Sequence, residues 1–147
     1  MDSRVSAKVT LWCCRFLAAV VMIMIFAFPA VMGWFRNIRE LTDQAVKIVT
    51  SGFYACVPVV LFALRAMDRL VNNILQDQVF VEANVRLIRR IRWCCAGVSG
   101  LCIVPGLYYP PLLLMVVIMA FLALVVSVVK NVMAAAVEMR EENDLTI

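Results

Sequence analysis

Four apolar stretches divide this 147-residue chain, each comparable to the ~20 residues that a helix needs to cross the hydrocarbon layer of a bilayer. They lie at about residues 9–32, 48–64, 93–109 and 112–132. Hydrophobic residues make up 65% of the chain, against about half in ordinary globular domains, and mean hydropathy is +0.94. A water-soluble fold is excluded. The expectation is one all-α domain over residues 1–147, an integral membrane four-helix transmembrane bundle. Arg4 and Lys8 before the first stretch give it the look of a secretory signal. It is longer than the roughly 7–15 residues of a signal core and lacks an A-x-A site, so it reads as a retained anchor. Span two is expected to continue as helix through Arg65, Asp68 and Arg69, and span four through Glu142. Pro105-Gly106 is expected to kink or end span three.

Basic residues in short loops resist translocation, so their distribution orients the chain. With the N-terminus inside, one side of the bilayer holds Arg4, Lys8, Arg15, Arg65, Arg69, Arg86, Arg89, Arg90, Arg92, Lys130 and Arg140. The other side is left with Arg36, Arg39 and Lys47. This imbalance predicts that both termini are cytoplasmic, together with a loop at 72–92 and a tail at 133–147. Trp12 and Trp93 then fall at inner span ends, and Trp34, Tyr54, Tyr108 and Tyr109 at outer ends, the depths that amphipathic rings prefer.

Within the middle loop, Arg86, Arg89 and Arg90 have i, i+3, i+4 spacing and would line one helical face, while Val81, Val85 and Ile88 line another. Such a helix either lies on the inner membrane surface with its arginines on anionic headgroups, or presents them to an acidic partner. The blander reading is a topology signal with lipid anchoring. The chain closes on the acidic run Glu141, Glu142, Asp144 and the apolar Leu145 and Ile147, on the same side as those arginines. Docking of this tail on the basic loop is therefore expected.

Several chemistries are poorly provided for. The chain has no His, the usual general base near neutral pH and the commonest metal ligand, so no enzymatic activity, metal site or cofactor is expected. Transporters and proton relays keep ionisable residues at mid-membrane, and the span interiors here hold none. Cys13, Cys14, Cys94 and Cys95 fall at similar depth and would have to converge to bind a soft metal, but they lack C-x-x-C spacing and read as small packing residues. Ala, Gly and Ser recur along spans one, three and four as seams for close helix approach, with which a homo-oligomer is compatible.

The stretch at 79–93, VFVEANVRLIRRIRW, and the closing ENDLTI resemble an uncharacterised bacterial family of four-span membrane proteins, domain of unknown function 2975. The resemblance picks out Phe80, Glu82, Asn84, Arg86 and Arg90 in the loop. At the terminus it picks out Glu142, Asn143, Asp144, Leu145, Thr146 and Ile147. Val81 departs from the pattern, which has a small hydroxyl residue there, and puts a helix cap in question. The family carries no assigned activity. Its genes often stand beside one for a very small helix-turn-helix DNA-binding protein, which implies a membrane partner that holds or releases a transcription regulator.

The expected function is accordingly a regulatory or interaction protein of the bacterial cytoplasmic (inner) membrane. It would contact lipid and the small regulator, with no direct contact to nucleic acid. The partner-binding residues would be Phe80, Glu82, Asn84, Arg86, Arg89, Arg90, Asn143, Asp144, Leu145, Thr146 and Ile147. The alternative is a small transport or lipid- and amphiphile-handling protein with a cavity between its spans.

Overall fold

A backbone inside hydrocarbon has no water to satisfy its N–H and C=O groups, which commits each apolar stretch to helix. The computed structural model describes residues 3–39 and 41–145 and consists of α1 (Ser3–Arg39), α2 (Asp43–Leu75), α3 (Glu82–Tyr108) and α4 (Pro111–Leu145). All four are long and apolar enough to span a membrane, and there is no strand among the described residues. At 1.5 Å per residue, α2, α3 and α4 are roughly 50, 40 and 52 Å long, whereas the hydrocarbon layer is about 30 Å thick. Every helix therefore projects from the bilayer. Residues 72–92, expected as a loop, are the end of α2, a turn at 76–81 and the first eleven residues of α3.

Proline lies inside three of the helices, at Pro29, Pro58 and Pro105, without ending them. Pro105 is buried and sits against Gly52 of α2, where an added methyl group would strike the proline ring. The missing side chain lets the two backbones approach closely. Helix α3 stops three residues later, where Tyr109 is extended (φ −135°, ψ 93°) ahead of Pro110 and donates its N–H to the Pro105 carbonyl at 2.9 Å. Pro111 then opens α4, a position where a missing N–H costs nothing.

Consecutive helices are antiparallel. The Tyr54 hydroxyl donates to the Ile25 carbonyl at 2.9 Å and Arg15 pairs with Asp68 at 3.5 Å, so α1 and α2 run in opposite directions. Asn73 meets Asn84 across α2 and α3, and Ser99 Oγ bonds the Val116 carbonyl at 3.0 Å across α3 and α4. Packing is in series: α1 on α2, α2 on α3, α3 on α4, and among the described residues α1 and α4 do not pack on each other. The start of α1, the end of α4 and the α2–α3 turn share one end of the molecule, called here the hairpin end.

The buried residues are unevenly spread. The most apolar window of α4 contains none. Ala66 and Leu70 of α2 and Leu87 and Ile88 of α3 instead form a buried cluster near the hairpin end. Met67, Ile74, Ile91, and Val126 and Met133 of α4 pack around it. Val71, Val85 and Val137 are also buried. Burial there removes apolar surface from water, whereas in the bilayer an apolar side chain only exchanges lipid for protein. Leu70→Ala and Ile88→Ala are expected to destabilise the detergent-solubilised protein by about 2–4 kcal/mol each. Leu124→Ala, at an exposed position of α4, is expected to change stability by less than about 0.5 kcal/mol in the same unfolding titration.

Candidate functional site

The hairpin end is built on a turn that is closed from both sides. At the C-terminus of α2, Asp77 N–H donates to the Ile74 carbonyl at 3.1 Å and Gln78 N–H to the Asn73 carbonyl at 3.0 Å. These are the two bonds of a Schellman stop, in which the residue after the cap takes the left-handed conformation. That residue is Asp77 (φ 59°), a position usually given to glycine but open to a short polar side chain. On the other side, Val81 is the N-cap of α3 (φ −130°, ψ 139°) and makes no side-chain cap bond, as its lack of a hydroxyl requires.

Asn84 supplies what the missing cap does not. Its carboxamide is the one large side chain fully enclosed among the described residues. Nδ2 donates to the Gln78 and Val79 carbonyls at 2.7 and 2.8 Å, and Oδ1 accepts from Asn73 Nδ2 at 2.8 Å. One side chain thereby satisfies two carbonyls of the connection and ties α2 to α3. Asn84 thus faces inward, whereas Phe80, Glu82, Arg86, Arg89 and Arg90 are exposed. Asn73 and Asp77 complete the clamp, and the sequence reading passed over both. The run Asn72-Asn73 before Gln76-Asp77 was the available signal, since Asn and Asp side chains favour turns and helix ends.

Glu82, Arg86, Arg89, Arg90 and Trp93 form a single exposed stripe along the first three turns of α3. Val85, Leu87 and Ile88 are buried on the other side, against α2 and α4. The segment is therefore part of a continuous, packed α3 rather than a separate helix floating on the membrane with its apolar face in lipid. Arg86 reaches Glu82 at 3.5 Å in an exposed i, i+4 pair. Arg89 and Arg90 have no acidic partner among the described residues. Arg92, nearer the bilayer, instead donates to Ser127 Oγ at 3.4 Å and lies over the Trp93 ring.

Helix α4 runs on as helix through Glu138, Glu141 and Glu142 to Leu145. The antiparallel register set by Ser99–Val116 and Arg92–Ser127 carries these acidic residues past the start of α3. The expected docking of the tail on the loop involves residues outside the described ones; among the described residues no ion pair joins Arg89 or Arg90 to α4. Asn143 and Leu145 are exposed at the tip. The Asp144 side chain, Thr146 and Ile147 lie outside the described residues.

The two adjacent thiol pairs do not converge, in keeping with their reading as packing residues. Cys13-Cys14 and Cys94-Cys95 sit on α1 and α3, which α2 keeps apart. Cys56 of α2 and Cys102 of α3 are the pair in contact, with Sγ atoms 3.9 Å apart. Nothing in their spacing of 46 residues marks them, because the register between α2 and α3 decides it.

The chain belongs to the family described as protein of unknown function (DUF2975), whose profile matches residues 7–147. No curated protein and no solved structure matches it.

Asn84→Ala is expected to lower stability by about 3 kcal/mol, since three hydrogen bonds go and the Gln78 and Val79 carbonyls lose their donor. Amide hydrogen exchange at residues 76–84 should accelerate in parallel. Asp77→Val is expected to cost about 1–2 kcal/mol more than Asp77→Gly in the same thermal unfolding assay, because a β-branched residue is strained at φ 59° and glycine is not.

Proposed function

We propose that this protein is a membrane-embedded, non-enzymatic regulatory partner that binds a small helix-turn-helix DNA-binding protein at its hairpin end. The one-sided distribution of Lys and Arg supports a cytoplasmic hairpin end, in a bacterial inner membrane. The observation that carries the reading is the arginine stripe. Arg89 and Arg90 are exposed and, among the described residues, unpaired, on a helix whose opposite face is anchored in a packed core. Guanidinium groups on a fixed surface can take carboxylates of a partner in charge-assisted, bidentate bonds, without ordering a loop on binding. Arg86 joins them at little cost, because an exposed i, i+4 pair such as Glu82–Arg86 contributes under about 0.5 kcal/mol. Phe80 beside the stripe, and Asn143 and Leu145 at the tip of α4, add exposed apolar and amide groups at the same end.

Binding of the regulator encoded by the neighbouring gene to the protein in nanodiscs tests this reading. Arg86→Glu, Arg89→Glu and Arg90→Glu combined are expected to weaken the Kd at least about tenfold and to flatten its salt dependence. Deleting residues 143–147 is expected to produce a smaller loss. Lys47→Glu, at the opposite end, should change nothing. Affinity that survives both the triple substitution and the deletion overturns the proposal.

A further inference from the structure

Helix α1 contacts α2 on both sides of a groove. Toward one end Phe28 stacks on Phe53 with ring centroids 3.8 Å apart; toward the hairpin end Arg15 pairs with Asp68. Between them lies a groove of about 600 Å³, floored by Ala18, whose small side chain leaves the space open. Its walls grade in polarity along the helices. Met22, Leu61 and Phe62 make the end nearer the bilayer centre apolar, and Arg15, Arg65 and Asp68 crowd the end toward the hairpin.

We propose that this groove binds an anionic phospholipid of the leaflet on the hairpin side, its phosphate held by Arg15 and Arg65 and an acyl chain lying along Ala18, Met22, Leu61 and Phe62. The polarity gradient is that of a lipid in its leaflet, headgroup at the boundary and chain toward the centre. A free phosphate ion would gain nothing from the apolar walls. Arg65 has no partner among the described residues, and Arg15 engages Asp68 through Nε, which leaves its two terminal nitrogens for a phosphate. The two arginines exceed the one carboxylate by a single positive charge, which a monoanionic headgroup neutralises. The ammonium of a zwitterionic headgroup finds no equivalent place, because Asp68 Oδ1 is sealed from solvent and Oδ2 faces Asn72 Nδ2 at 3.4 Å.

Native mass spectrometry of the full-length protein, released from mixed micelles of phosphatidylglycerol and phosphatidylcholine, tests the site. Phosphatidylglycerol is expected to be retained at least about tenfold over phosphatidylcholine. Arg15→Gln with Arg65→Gln should bring the two lipids level, and Ala18→Leu, which fills the groove while keeping the charges, should reduce retention of both. Arg86→Gln, Arg89→Gln and Arg90→Gln should leave selectivity intact, and added inorganic phosphate should not displace the lipid. Equal retention of the two lipids by the unaltered protein overturns the proposal. So does selectivity that disappears with the α3 arginines rather than with Arg15 and Arg65, since it would then belong to the basic surface alone.

Discussion

Apolar burial drives association only where the alternative is water, and this one constraint organises the molecule. Within the bilayer the spans present their large side chains to lipid and need only enough contact to set a register: a stacked ring pair, Pro105 against Gly52, a serine hydroxyl on a carbonyl. Beyond the ~20 residues that a crossing requires, α2, α3 and α4 continue toward water, and there they close on Ala66, Leu70, Leu87 and Ile88. The helices overrun the membrane, and near the hairpin end they close on a buried apolar cluster.

That core makes the hairpin end a fixed surface. Asn84 is enclosed with all its bonds made, the α2–α3 connection is stopped by Asp77 and Gln78, and the buried face of α3 sets which way its arginines point. A basic loop of the same composition, left unstructured, would lose conformational freedom on meeting a partner; a packed helix has already lost it. The same end carries a second cationic feature with a different neighbourhood. Arg15 and Arg65 stand beside apolar groove walls, the α3 stripe beside solvent, and so equal charges meet different surroundings.

The sequence disclosed what depends on periodicity and hydropathy and withheld what depends on register. Four membrane-spanning helices were legible because lipid exposure demands long uniform apolar runs, and the arginine face because i, i+3, i+4 spacing survives any packing. The role of Asn84 was not legible. A surface asparagine and an enclosed one are written with the same letter, and only the pairing with Asn73 decides between them. The cysteines make the same point: Cys13, Cys14, Cys94 and Cys95 share a depth but belong to helices that are not neighbours, while Cys56 and Cys102 meet through a register that neither one encodes. Helix α4 runs on as helix past the arginines, as the expected continuation of span four through Glu142 implies.

Packing in series has a consequence for biogenesis. Each helix finds its neighbour in the segment synthesised just before it, so nearly every tertiary contact joins parts of the chain that leave the ribosome in succession. Among the described residues no packing of α1 on α4 closes a ring of helices. Assembly can follow translation helix by helix, and α4, made after the other three, joins the apolar cluster only after the turn beneath it is already in place.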